Sequence, residues 1–296
     1  MENNNTNGAT NRALETYVKG TDFPIQKRES DGYRALIERV QSDLKRDGCA
    51  VLKGFIKSEW HSVLEQEGQM VAPDAYFQTE TVNAYNVPLD ADLPPDHPAK
   101  ITMQRENAFV ARDKIPFTHI IHQLFESERL AEFLSDCFGY EKLYKLADPL
   151  AGLCLNVLKP GCVHPWHYDV NEFTVSLLTK KPEAGGLFRY CPGIRSPRDE
   201  NLPEVRQILE GGERKDPRIK ELDLDVGDLQ LFQGRYSLHQ VSAVKGPIER
   251  HTAIFAYTLA PNVIGGTVRT MQLFGRTLPE HEVFEHKKNR ADNLLD

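Results

Sequence analysis

Val163-His164-Pro165-Trp166-His167-Tyr168-Asp169 governs how the rest of the chain is read, because it sets an imidazole and a carboxylate two residues apart. Side chains alternate along an extended backbone, so His167 and Asp169 leave the same face. Leu238-His239 answers from far along the sequence, after a Gly227-Asp228 turn and the apolar run Leu229–Phe232. Two imidazoles and one carboxylate, converging from two walls of one barrel mouth, make a facial donor set suited to Fe(II) that leaves the opposite side of the ion open. His167, Asp169 and His239 are therefore the candidate metal ligands and the candidate catalytic centre. Coordination requires an ionised Asp169 and a free lone pair on each coordinating nitrogen. Zinc accepts the same residue types. The triad alone thus leaves open an iron oxygenase, a zinc-dependent hydrolase or isomerase, and a catalytically silent barrel that keeps a metal for structure.

Arg250 separates these readings. It lies eleven residues beyond His239, at the start of Arg250-His251-Thr252-Ala253-Ile254-Phe255-Ala256-Tyr257. By the two-residue period Arg250 and Thr252 share a face. A planar guanidinium beside a hydroxyl fits a carboxylate bidentately, with one hydrogen bond more. A zinc hydrolase has no use for such a clamp near its metal, whereas an oxygenase that draws electrons from a dicarboxylate does. Asn156 is the polar residue of the apolar strand 153–158, opposite in face to Leu155. It either points into the barrel toward a bound acid or serves as a structural amide.

Around these residues the chain divides by period. Residues 1–25 are polar, with Asn3-Asn4-Asn5, and are expected to be flexible. A single catalytic domain is expected over 26–296. Within it, 26–150 supplies mostly helical cover and loops, 151–276 the β core and 277–296 a tail. Ser30 reads as a cap for a helix carried by Tyr33, Leu36, Ile37, Val40 and Leu44, with Gly48 as its stop. Cys49–Leu52 reads as a strand. Ser58 reads as the cap of a second helix through Glu65, and the Asp- and Pro-rich stretch 72–100 as largely loop. An amphipathic helix, broken at most once, is expected from Pro116 to Phe138. Strands are then expected at 151–158, 173–178, 186–190, 222–226, 229–232 and 252–259. Short strands punctuated by Gly and Pro, without a helical repeat between them, point to an antiparallel sandwich or barrel.

Composition narrows the class. A net charge of -7 and the lack of a Lys/Arg stripe argue against nucleic acid as a partner. The charge-dense run Gly211–Asp216 is mixed in sign and reads as solvated loop. Five cysteines, odd in number and without a CxxC pair, read as free, mostly buried thiols in a reducing compartment. Met1 is followed by Glu and Asn, and no apolar run is long enough for a bilayer, so no membrane partner and a cytoplasmic location are expected. No GxGxxG, Walker or Gly-x-Ser-x-Gly motif supports a dinucleotide, P-loop or serine-hydrolase reading.

Taken together, the segments His164–Phe173, Gly185–Tyr190, Phe232–Val241 and Leu273–Arg276 resemble the Fe(II)/2-oxoglutarate-dependent dioxygenases. That pattern is His-x-Asp, a distal His, and an Arg about ten residues later. The likeness covers about 155 to 276 and is greatest to the branch of free-amino-acid hydroxylases and radical halogenases. It implies a mainly β fold with flanking N-terminal helices, built on a double-stranded β-helix (jelly-roll, cupin-like). It implies Fe(II) as cofactor and 2-oxoglutarate and O2 as co-substrates, with Arg250, Thr252 and Asn156 on 2-oxoglutarate. A small-molecule substrate, a free amino acid of secondary metabolism, would meet His164, Arg105, Glu172, Arg269 and Arg235. Halogenating members replace the metal carboxylate with a small residue, which makes room for chloride; Asp169 is retained here. Hydroxylation of an unactivated C–H bond is the expected outcome. Desaturation and oxidative cyclisation are alternatives that start from the same hydrogen abstraction.

Overall fold

The computed structural model describes residues 14–171, 173–211, 216–284 and 294–295. Its first long helix, Asp31–Asp47, starts where the Ser30 hydroxyl accepts from Tyr33 N–H and ends at Gly48 in the left-handed region. Tyr33, Leu36, Val40 and Leu44 form its buried stripe. The helix expected from Ser58 begins instead at His61, after a short 3-10 turn, and runs to Val71; Ser58 makes no side-chain cap. The amphipathic stretch is two helices, Ile120–Glu126 and Glu128–Phe138, broken at Ser127, whose hydroxyl caps the second.

Strands follow in chain order as β1 (Cys49–Leu52), β2 (Tyr76–Asn83), β3 (Thr102–Ala111), β4 (Tyr144–Lys145), β5 (Leu153–Leu158), β6 (His164–His167), β7 (Thr174–Lys180) and β8 (Ala184–Gly185). They continue as β9 (Phe188–Cys191), β10 (Lys220–Leu222), β11 (Leu229–Phe232), β12 (Leu238–Val241), β13 (Val244–Lys245), β14 (Arg250–Phe255) and β15 (Tyr257–Thr258). Seven form one antiparallel sheet in the order β1-β11-β7-β14-β5-β3-β2, and four form a second in the order β10-β9-β12-β6. The pairs β13-β8 and β15-β4 complete the set. This is the jelly-roll, or double-stranded β-helix, arrangement.

Alternation along the large sheet sorts its two faces. Leu155, Val157, Val175, Leu177, Leu229, Leu231, Ala253 and Phe255 join Leu36, Val40, Phe125, Leu130 and Phe133 of the helices in the main core. Each such side chain is worth about 1.5–3 kcal/mol when fully buried. The intervening residues, among them Asn156, Leu158, Arg250 and Thr252, therefore face the small sheet. There a second apolar set, with Cys49, Leu158 and Phe232 from one sheet and Phe188, Tyr190 and Val241 from the other, holds the sheets together.

Three expectations are corrected. Tyr76–Asn83 is an edge strand paired with β3, not loop, because its aromatic and β-branched residues need only one partner strand. Among the described residues before 26, Leu14, Val18, Phe23 and Ile25 are buried and Val18 bridges to Ile56, so this stretch packs onto the core; residues 1–13 lie outside the description. The strand expected at 222–226 is β10, which ends at Leu222. The helix Leu202–Gly211 was not expected, nor was Thr267–Phe274. All five cysteines are free, and four are buried. No helix among the described residues is long and apolar enough to cross a membrane.

Candidate active site

β6 and β12 are neighbours, and their register sets His167 opposite His239 before a bulge intervenes toward Val241. Asp169 lies just past the end of β6. The donor atoms of His167, Asp169 and His239 fall within 4.8 Å of one another. His167 Nδ1 lies 2.8 Å from the Pro165 carbonyl, and His239 Nδ1 lies 2.9 Å from the Ser237 carbonyl. A carbonyl only accepts, so both Nδ1 atoms carry the proton and both Nε2 atoms present lone pairs. Those Nε2 atoms lie 3.8 and 3.5 Å from Asp169 Oδ1. Two lone pairs and a carboxylate turned on one point repel each other until a cation sits between them. The donor chemistry therefore fits a divalent metal.

The surroundings keep these donors in their binding forms. Burial holds His167 well below the usual imidazole range, reinforced by His164 and His239. For Asp169 burial acts upward, and the Thr174 hydroxyl acts the other way, donating to the carboxylate and favouring its ionised form. Thr174 Oγ1 donates to Asp169 Oδ2 at 2.6 Å. Asp169 N–H donates to the Gly234 carbonyl at 3.1 Å. A methyl at Gly234 would lie 1.9 Å from Asp169 Oδ2, so glycine there lets the backbone close against the carboxylate.

The facing sheet supplies cations. Arg250 and Thr252 are buried on β14, and the guanidinium donates to the Thr252 hydroxyl. Among the described residues no carboxylate pairs with Arg250, and burial alone lowers it to about 10. Gly186, at φ 61°, makes room for it: a methyl there would lie 2.9 Å from Arg250 Cδ. Arg269 on the helix Thr267–Phe274 is also pushed down to about 10, first by burial and then by Arg105. It donates to Gln272 at 2.6 Å and has no acid partner among the described residues. Arg105, on β3, is ion-paired with Glu80 on β2.

The structure thus gathers most of the expected residues around one interior. His164 stacks on His167 with ring centroids 4.0 Å apart, and burial, Arg105, His239, Arg269 and Arg250 all press it toward the neutral form. Thr252 sits opposite Asn156 across the β14–β5 ladder, so both face inward, and Asn156 Nδ2 donates to the Ala108 carbonyl at 3.2 Å. Arg235 is placed differently. It is 2% exposed and donates to the Val170 carbonyl at 3.2 Å, where it clamps the loop after Asp169. Glu172 lies outside the described residues.

Sequence reasoning passed over Asn107, Thr174, Gly234 and Arg195. Asn107 shares a face of β3 with Arg105 and Phe109, is buried, and has no partner for its Nδ2 among the described residues. Alternation would have exposed it, had 102–111 been recognised as a strand. Thr174, Gly234 and Arg195 carry no local signal, because their roles depend on contacts between distant segments.

Among solved structures, AviO1 from Streptomyces viridochromogenes Tue57 is similar with a TM-score of 0.52 and 15% identity, covering 76% of this chain and 97% of that chain. The non-heme α-ketoglutarate-dependent epimerase SnoN from nogalamycin biosynthesis has a TM-score of 0.51 and 14% identity, covering 76% and 84%. A prolyl hydroxylase from Trichoplax adhaerens, solved with a hypoxia inducible factor peptide fragment, has 0.50 and 16%, covering 76% and 90%. At such identities the likeness speaks for the fold, which is that of the Fe(II)/2-oxoglutarate oxygenases. No curated protein matches the chain. A family model, Halogenase D, matches residues 33–264, from the first long helix to beyond β15. By that span the chain belongs to the Halogenase D family.

Proposed function

We propose that the protein is an Fe(II)- and 2-oxoglutarate-dependent oxygenase that hydroxylates an unactivated C–H bond of a free amino acid. The observation that carries this reading is the pair of Nε2 lone pairs, fixed by carbonyl contacts and aimed with Asp169 at one point. His167, Asp169 and His239 would hold the iron. Bound iron supplies the oxidation: O2 and 2-oxoglutarate are consumed, CO2 and succinate leave, and one oxygen atom is inserted into the substrate C–H bond.

The chain's own part is binding, orientation and exclusion of water. Arg250, buried with Thr252 and without an acid, is the site for the distal carboxylate of 2-oxoglutarate. Charge then argues for the substrate. The Fe(II) charge is offset by Asp169 and by one carboxylate of 2-oxoglutarate, and Arg250 answers the other. Glu80 answers Arg105. Arg269 remains as a half-buried cation without an acid among the described residues, and a substrate carboxylate would complete it. His164, neutral and stacked beside His167, is set to meet the substrate next to the metal. The family name suggests halogen transfer, but Asp169 occupies the place that chloride would need, and Thr174 and Gly234 pin it there.

The test is anaerobic reconstitution with Fe(II) and 2-oxoglutarate, then air, with a panel of free amino acids followed by mass and succinate. A product heavier by one oxygen, coupled to succinate, is expected. N-acetyl and methyl-ester forms of each responsive amino acid should lose most turnover. Equal processing of blocked and free forms would sink the amino-acid reading, and succinate formation that persists in Asp169→Ala would remove Asp169 from the centre.

A further inference from the structure

Tyr168 stands between two of the three candidate ligands, and its own side chain points away from them by strand alternation. On that far side the Arg195 guanidinium carbon lies 3.7 Å from the Tyr168 ring centroid and 5.8 Å from that of Tyr85. Arg195 is 2% exposed. Its Nε donates to the Arg235 carbonyl at 2.7 Å, and its backbone N–H donates to the Tyr236 carbonyl at 3.2 Å. Its Nη1 is 3.1 Å from Glu200 and also donates to the Leu295 carbonyl at 3.1 Å. Arg195 is therefore rigid before it touches anything near the metal donors.

The segment it grips, Arg235-Tyr236, leads directly into Ser237, Leu238 and His239. That loop also reaches Asp169 and the residue after it: the Gly234 carbonyl accepts from Asp169 N–H, and Arg235 donates to the Val170 carbonyl. The Tyr168 backbone is tied separately, its N–H donating to the Ala84 carbonyl at 2.9 Å. One guanidinium thus joins the strand end bearing His167 and Asp169 to the loop that delivers His239. Burying it is expensive, since among the described residues its Nη2 and the hydroxyls of Tyr85 and Tyr168 lack partners. Such an arrangement is best explained if it fixes geometry.

We propose that Arg195 is a positioning residue for the metal centre, acting through the Tyr168 ring and the 235–236 carbonyls without touching metal or substrate. The inference rests on the metal-binding reading given above. Its test is Co(II) titrated into the full-length apoprotein without oxygen, followed by the d–d absorption of the bound ion and by competition with a chelator. Arg195→Met should weaken Co(II) binding by roughly 10–100-fold, the usual range for loss of a partner that orients metal ligands. Arg195→Lys, which keeps the charge for Glu200 but loses the planar stack, should recover part of this. Tyr168→Phe should bind like wild type, because the stacked face survives, and Tyr168→Leu should resemble Arg195→Met even if the latter folds poorly. Leu130→Ala, a core deletion under a distant helix, serves as the control for general destabilisation and should leave Co(II) affinity within about twofold while lowering the melting temperature.

Arg195→Met and Tyr168→Leu that bind Co(II) as wild type does would overturn the proposal, as would a Leu130→Ala variant that loses as much affinity. Wild-type protein that takes up no Co(II), or takes up as much in His239→Ala, removes the metal reading and the proposal with it. Absorption of the wild type and of His239→Ala together distinguishes the two failures.

Discussion

Arg250 is a buried cation accompanied, among the described residues, only by a hydroxyl, so its removal should be felt by whatever anion completes it. Arg250→Ala should raise the 2-oxoglutarate requirement by about 30- to several-thousand-fold, the equivalent of ~2–5 kcal/mol for a charge left without its partner. Co(II) affinity should barely change. An unmoved co-substrate titration curve would relocate the clamp. Asn107 offers the opposite case, a buried amide whose Nδ2 has no partner among the described residues. Asn107→Leu should alter ligand-free stability by no more than ~1 kcal/mol, yet weaken substrate binding by roughly 2–10-fold if a substrate oxygen completes the amide. Equal KM values in variant and parent would make Asn107 structural. The grouping of His167, Asp169 and His239 and the shared face of Arg250 and Thr252 were legible in sequence, because residue type and strand spacing carry both. Asn107 was hidden in a stretch not recognised as a strand, and the bond from Arg235 to the Val170 carbonyl was not readable because it joins segments distant in sequence.

At the scale of elements, caps and stripes explain what was readable. Ser30 and Gly48 bracket the first helix as local chemistry dictates, and Ser127 both breaks the amphipathic stretch and caps its second half. β3 was not readable because it turns Arg105 and Asn107 inward, which reverses the usual apolar-in pattern. One junction between helices should titrate. Glu67 accepts from Ile120 N–H at 2.8 Å, at the start of the helix Ile120–Glu126. Burial raises its carboxyl from 4.5 to about 7 against that hydrogen bond. In the unfolded chain it ionises near ~4.3, so the native state keeps the proton longer. The stability this provides is complete below that value and is lost as pH rises through about 7. Glu67→Gln keeps an acceptor for Ile120 and should flatten the dependence, so that urea midpoints at acidic and mildly alkaline pH converge. A variant with the parent's pH profile would assign the titration to another group.

Across the whole molecule the two sheets divide the labour. The histidines of the triad belong to the four-stranded sheet and Asp169 follows its β6, whereas Arg250, Thr252 and Asn156 belong to the seven-stranded one. Ligands that bind the folded state raise its melting temperature by mass action, so each sheet's occupant should give its own increment. Co(II) should raise the melting temperature of Arg250→Ala but not of Asp169→Ala, and 2-oxoglutarate added after Co(II) should raise that of the parent but much less that of Arg250→Ala. Loss of both increments in Arg250→Ala would mean that the sheets do not act separately. The sandwich was legible from motif order and strand punctuation. The helix that brings Arg269 inward was not, because its exposed Val268 and Met271 break the amphipathic pattern.

The close approach of Gly234 to Asp169 has a consequence that can be read across relatives. A side chain at 234 and a carboxylate at 169 exclude each other in space, since the added methyl would lie 2.6 Å from Asp169 Cγ as well. The two positions should therefore change as a linked pair over evolutionary time. Members of the family that keep the acid should keep glycine opposite it, and members that have traded the acid for a small residue are released to place alanine, serine or larger groups there. A history of substitution in which the acid is lost first and the glycine afterwards would be the trace of this contact, and engineered exchange of the acid should be made together with its opposite number.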